Sequence, residues 1–228
     1  MSVDQETEPD FSGVTGWEDY PEFDERAARC VASPFKRLID LFGSAAGLII
    51  LAPGLILLGL AIRFQDGGPI FFRQKRTGLH GKSFRIWKFR TMRHLTARQP
   101  FEQTKGKYDP RVTRLGRWLR AWSLDELPQL INVLTGDMSL VGPRPHPVEL
   151  DAVLAPQFSC FALRYSVRPG ITGVAQTNGA RGPIADLSDM RRRLDFDLRY
   201  IRNWSVGGDV LIALATLRSL RSDRSTSR

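Results

Sequence analysis

The chain has 228 residues, a net charge of +9 and a pI near 10.1, enough for one domain with a core of ordinary size. It shows no secretory signal, no P-loop, no dinucleotide fingerprint and no His/Cys metal cluster, and its two cysteines, Cys30 and Cys160, lie far apart, as suits structural thiols in a reduced compartment. The charge is uneven: residues 1–25 hold nine acids and no Lys or Arg, so the body is strongly basic and calls for nucleic acid, anionic lipid or a phosphorylated substrate.

Residues 1–28 are acidic, poor in aliphatics and broken by Gly and Pro, and are expected to form a mostly disordered tail, with docking of Phe11, Trp17, Tyr20 and Phe23 on the basic body as the less favoured alternative. From Leu41 to Ile62 there is no charge. A straight helix rising ~1.5 Å per residue over that run would just span a bilayer core of ~30 Å. Two features argue against a simple span. Pro53 sits mid-run beside Gly54, where it removes a helical hydrogen bond and forces a kink. Both flanks are cationic, with Lys36 and Arg37 before the run and Arg63, Arg73, Lys75 and Arg76 after it. The positive-inside rule is then met when both ends stay on the cytoplasmic face. A bent helix over about 36–63 that enters one leaflet and returns meets both constraints.

Two β-like runs follow, 69–74 and 83–92, joined by Thr77-Gly78-Leu79-His80-Gly81 as a hairpin. Alternation places Phe84, Ile86 and Lys88 on one face, and Arg85, Trp87 and Phe89 on the other. Lys88 therefore ends an apolar face, explained either by a bound anion or by snorkelling past the Phe84 ring. Residues 94–110 are expected to be a mobile loop. Residues 112–122 show helical periodicity, with Leu115, Trp118, Leu119 and Trp122 on one stripe and Arg114 and Arg117 opposite. Periodicity fits a membrane surface or a core contact, and the preceding apolar run favours the membrane.

Ser123-Leu124-Asp125-Glu126 fits a capping box, with Ser123 as N-cap and Glu126 reaching back. Three points favour chemistry as well. Pro128 strains the helix start, Asp125 has no capping task, and Arg120 lies close behind. The helix ends at Thr135-Gly136. Gly142-Pro143-Arg144-Pro145 then delivers one guanidinium from between two prolines, whose X-Pro bonds are open to both the cis and the trans form. His146 is a weak base candidate in a turn. Residues 164–183 read as irregular, 186–204 and 209–220 as helices, and the C-terminal residues from 223 as a disordered tail.

From about Lys36 to Leu220 the chain resembles the monotopic phosphoglycosyl transferases, the bacterial sugar transferase family. The resemblance is carried in order by KRLID, IFFRQKRTGLHGKSFRIWKFRTM, DPRVTRLGRWLRAWSLDELPQLINVLTGDMSLVGPRP, RPGITGVAQ and DLRYIRNWS. It implies an α+β, mainly helical fold: a Pro-kinked re-entrant helix, interfacial amphipathic helices and a small β-hairpin, in one catalytic domain over 29–222. It implies transfer of a sugar-1-phosphate from a nucleotide diphosphate sugar to polyprenol phosphate at the cytoplasmic face of a bacterial inner membrane. Asp125 matches the family nucleophile and Glu126 the second member of the dyad. Lys88, Arg120 and Arg144 match basic positions, and Asp209 a late functional acid. The family uses Mg2+, here assigned to Asp125, and nucleic acid is not among its partners. Where many members have Ser-Pro at the kink, this chain has Ala52-Pro53, without a hydroxyl for the carbonyl that proline frees. A membrane-anchored nucleic-acid-binding protein and a non-catalytic scaffold of polysaccharide assembly are the rival classes.

Overall fold

In a computed structural model, residues 21–93 and 109–226 are described. The order is α1 (Pro21–Ala32), α2 (Pro34–Asp66), β1 (Phe71–Thr77), β2 (Ser83–Phe89), α3 (Arg114–Ala121), a 3-10 turn at Leu124–Gln129, then α4 (Leu130–Thr135) and β3 (Ser139–Val141). It continues with α5 (Val148–Leu154), β4 (Gly170–Thr172), α6 (Val174–Thr177), α7 (Leu187–Arg202) and α8 (Val206–Thr226). Helices dominate, as expected, with two small sheets: β1 and β2 antiparallel, β3 and β4 parallel. The expected loop at 94–110 lies almost wholly outside the described residues. The chain leaves at Arg93 and returns at Asp109, where Met92 bridges to Val112.

The tail boundary at residue 28 does not hold for its last residues. Helix α1 starts at Pro21, and Phe23, Ala27 and Cys30 are buried against Tyr200 and Ile201 of α7. Arg202 stacks on the Phe23 ring at 5.1 Å. The acids that suggested solvation alternate with one apolar face, and that face is what docks. Residues 1–20 lie outside the described part. At the other end, the α8 backbone runs on to Thr226, past Leu220.

Helix α2 is the long apolar element. Ser33 caps its start by accepting from the Lys36 amide, and Gly67, at φ 71°, ends it. It continues without a break through Pro53. Little of its apolar stretch is buried, and Phe42, Ile49, Ile50, Ile56 and Leu57 are exposed. Two short stretches of the helix touch the body. Near its start, Lys36, Asp40 and Ser44 are buried at i, i+4 spacing. Arg37 donates to the Val133 and Leu134 carbonyls at the end of α4, at 2.7 and 2.9 Å. Asp40 accepts from the Ser139 hydroxyl and the Leu140 amide at 3.0 and 2.9 Å. At its far end, Ile62 packs with Phe89 and Leu119, and Arg90 pairs with Asp66.

Helix α3 divides its apolar stripe. Leu119 is fully buried beside Ile62 and Phe89, while Trp118 and Trp122 remain 47% and 38% exposed. Their rings lie 6.4 Å apart. The core-contact and surface readings of this helix thus apply to different residues of one stripe.

Candidate active site

The dyad sits on the 3-10 turn that follows α3. Ser123 takes a left-handed conformation at φ 54°, and its hydroxyl caps nothing. The expected capping box is therefore absent. A left-handed residue turns the chain sharply out of α3, and Ser123 cannot at the same time adopt the extended geometry of an N-cap. Pro128 lies within the turn, and the tighter i to i+3 winding there leaves Asp125 and Glu126 facing β2.

Glu126 is held by two cations. Lys88 donates to Oε1 at 2.7 Å. Arg144 donates to Oε2 at 3.0 Å and to Oε1 at 2.5 Å, a two-pronged clamp. The odd position of Lys88 at the end of an apolar face is explained by Glu126, an anion supplied by the protein itself. Burial alone would raise the Glu126 pKa, but Arg144 and Lys88 overcome it and hold the carboxyl well below the usual range. The same contact raises Arg144.

Asp125 is next in sequence and opposite in electrostatics. It is buried, and its carboxylate accepts no hydrogen bond from any described residue. Burial raises its pKa, against the pull of Lys88, and the negative Glu126 adds to the rise. Arg120 also faces it, with its own pKa lowered by burial and supported by Asp125. Arg120 does not bond to the dyad; its Nε donates to the Thr91 hydroxyl at 2.8 Å. The site thus offers one carboxylate tied down by cations and one left uncommitted within their field.

Of the six residues expected at the site, Lys88, Arg120, Asp125, Glu126 and Arg144 come together. Asp209 does not join them. It starts a separate buried network, 2.6 Å from Lys36 Nζ, and accepts from the Tyr200 hydroxyl at 3.0 Å and the Trp204 indole at 3.1 Å. This network fastens the start of α2 to α7 and α8. His146, the weak base candidate of the turn, is buried between Asp151 and Arg164. Burial, then the Arg164 charge, push its pKa down to about 4. Peptide bonds in the described residues are all trans, so the Pro-Arg-Pro loop needs no cis bond.

Sequence reasoning missed Asn132. It is 1% exposed on α4, and its amide copies a β-strand: Oδ1 accepts from the Trp87 amide and Nδ2 donates to the Arg85 carbonyl, each at 2.9 Å. This closes the open edge of β2 and fixes Lys88 over the dyad. The only signal was an Asn inside an apolar helical run, where asparagine is a poor helix former. Two glycines serve the Arg144 loop similarly. A Cβ on Gly170 would lie 2.1 Å from the Gly142 nitrogen, and one on Gly142 would lie 2.5 Å from the Arg168 oxygen.

A buried carboxylate without a hydrogen bond from the described residues, a clamped partner and three cations form a site for anionic phosphate chemistry, and among the described residues there is one long apolar helix with most of its surface exposed. The chain belongs to the bacterial sugar transferase family, whose model matches residues 31–223. It is 47% identical over 185 residues to a Caulobacter vibrioides protein named UDP-glucose:undecaprenyl-phosphate glucose-1-phosphate transferase, covering 81% of this chain and 69% of that one. An Escherichia coli K12 protein of the same name is 45% identical over 182 residues, 80% of this chain and 39% of its own length. The exopolysaccharide production protein PSS of Rhizobium leguminosarum is 41% identical over 191 residues, 81% of this chain and 94% of that one. The chain therefore spans well under half of the E. coli relative.

Proposed function

We propose that this chain transfers a sugar-1-phosphate from a UDP-sugar to polyprenol phosphate at a membrane surface, through a covalent phosphosugar intermediate on Asp125. The observation that carries the proposal is the division of labour in the dyad. Lys88 and Arg144 are committed to Glu126, while Asp125 keeps its oxygens free beside the same cations. An Asp125 oxygen attacks the sugar-bearing phosphorus, and the bond to the bridging diphosphate oxygen breaks, releasing nucleoside monophosphate. A polyprenol phosphate oxygen then attacks the same phosphorus and frees Asp125. Splitting the transfer this way avoids bringing two large anions together in one step. Arg120, Arg144 and Lys88 offset the charge that builds on the phosphoryl oxygens.

The donor set suits Mg2+. One free carboxylate, Asp125, is the number that Mg2+ commonly takes from protein when substrate phosphates supply the rest. No cluster of three or more His, Cys, Asp or Glu occurs among the described residues, so a purely protein cage is not what is offered. When bound there, the ion would neutralise diphosphate charge beside Asp125.

For the membrane, we favour the re-entrant reading of α2, with both ends on the cytoplasmic face. What supports it is that both ends of α2 contact one body, Lys36 through Asp209 and Asp66 through Arg90. A span would put a bilayer between them.

The test is release of nucleoside monophosphate and formation of lipid-linked sugar with polyprenol phosphate and a panel of UDP-sugars. UDP-glucose comes first, since two relatives carry it in their names. Asp125→Asn is expected to abolish turnover and trapping of labelled sugar-phosphate on the protein, while the variant still folds and partitions to membrane. Unimpaired turnover by that variant would sink the proposal.

A further inference from the structure

Arg144 reaches Glu126 from a loop without regular secondary structure, residues 142–147. Such a loop holds a side chain in place only if its own backbone is held. Here four successive carbonyls accept hydrogen bonds from four different donors. The Pro143 oxygen accepts from the Gly170 amide at 2.8 Å, and the His146 oxygen from the Thr77 amide at 3.3 Å. Between them, the Arg144 oxygen accepts from Arg164 Nη2 at 2.7 Å, and the Pro145 oxygen from Arg76 Nη1 at 3.0 Å. The outer two donors are backbone groups that pairing next to β3 and at the end of β1 would supply in any case. The inner two are guanidinium groups brought in from elsewhere.

We propose that Arg164 and Arg76 are positioning residues for Arg144, acting on its side chain through the main-chain carbonyls at positions 144 and 145. This rests on the reading of Arg144 as part of the transferase site.

The cost of Arg164 is the main support. Its side chain is 1% exposed, and Arg is almost never buried so fully unless paired. Asp197 pairs with it, at 2.9 Å from Nη2 and 3.2 Å from Nε. The rings of Phe161 and Tyr165 flank it at 5.4 and 5.7 Å. A buried ion pair of this kind is generally no more stabilising than apolar side chains of the same volume. Stability alone therefore does not account for an arginine here. What an apolar pair lacks is the remaining donors, and Arg164 spends these on the loop: one on the Arg144 carbonyl, and one toward His146 Nδ1 at 2.8 Å. The planar fork spans Pro145 from below, gripping the residue on either side of it. Lysine, a point donor on a flexible stem, cannot hold Asp197 and both loop contacts together.

Arg76 grips from the other side. Its Nη2 donates to the Gln74 side chain at 2.9 Å, which aims Nη1 at the Pro145 carbonyl. Neither arginine hydrogen-bonds to the dyad; Arg164 reaches Glu126 by way of Arg144, and Arg76, whose charge also lies in the field of Glu126 and Lys88, adds its grip on the loop to that field.

The experiment is a double-variant cycle on the full chain, measured by single-turnover transfer of radiolabelled UDP-sugar, with thermal midpoints recorded for every variant. Arg164→Lys is expected to lower the rate by roughly 100-fold in the native background, the scale on which small misplacements act. In the Arg144→Lys background, where the fork to Glu126 is already lost, the same change is expected to cost less than about threefold. Its effect on thermal midpoint should be equal in both backgrounds. Arg76→Lys, at a less buried position, repeats the test if Arg164→Lys does not fold, with a smaller loss and the same non-additivity. Equal fold-losses in the two backgrounds, or native rates for the single variants, overturn the inference while leaving the transferase reading intact. A native chain that releases no nucleotide from any UDP-sugar overturns both.

Discussion

Asp125 and Glu126 are adjacent carboxylates driven apart in pKa by what surrounds them. Two cations spend their hydrogen bonds on Glu126, so it stays ionised and the charge it carries helps to raise Asp125. Glu126, depressed in the folded state, contributes stability above its unfolded value of about 4.3, and that stability is lost as pH falls through the depressed folded value. Asp125, raised, acts the other way, costing stability when ionised. Its nucleophilic form is lost as pH falls through a value above the ordinary ~3.9. The acid limb of the rate profile is therefore expected above that of an ordinary aspartate. Glu126→Gln removes a negative neighbour and releases Lys88 and Arg144 toward Asp125, and each change lowers the Asp125 pKa. The variant should lose about 100-fold in rate, and its acid limb should move to lower pH. A single-turnover pH series checks this, and an acid limb that stays in place would show that Glu126 does not set the ionisation of Asp125.

At the scale of elements, the site is a meeting of β2 with the turn before α4, and Asn132 is the joint. Its two hydrogen bonds substitute for a missing strand on the edge of β2. Asn132→Ala leaves a buried amide and carbonyl on β2 unpaired, a loss of roughly 1–3 kcal/mol, and frees Lys88 to drift from Glu126. We expect a lower thermal midpoint and a fall in rate larger than that stability loss explains. Thermal unfolding and turnover of one preparation give both numbers. Helix α3 shows a second use of an element. Leu119 anchors it to the core so that Trp118 and Trp122 can stay outside, where amphipathic rings favour a membrane–water boundary.

For the whole molecule, α2 is fastened to one body at both ends. The start is locked by a buried ion pair, Lys36 with Asp209, and the end by Arg90 with Asp66. Removing one member of a buried pair typically costs 3–5 kcal/mol, by order of magnitude. Asp209→Ala is thus expected to destabilise the chain through the α2–α8 junction and to leave Asp125 and its cations in place. That outcome would appear as a lowered midpoint with near-native turnover at low temperature; a loss of turnover without a loss of stability would instead return Asp209 to the site. Topology is checked independently by labels at the two chain ends. Both should be reached from the cytoplasmic side of inverted vesicles, and labels on opposite sides would make α2 a span.

The sequence determined the local and the chemical: an uncharged run too long to hide, a hairpin with its alternating faces, and a carboxylate pair with arginines near it in the chain. Those follow from residue type and period, which are local properties. It also marked Lys88 and Arg144 as cations in unusual places, and the resemblance joined them to the dyad, since they lie 38 and 18 residues from Glu126. Tertiary structure alone decided the rest. Ser123 reads as a cap until a left-handed turn takes its geometry away. Residues 21–28 read as tail until α7 offers their apolar face a partner. His146 reads as a turn residue until Asp151 and Arg164 close around it. In each case the deciding partner comes from a distant segment, and a burial or hydrogen bond that needs two distant segments leaves no periodic trace in either one.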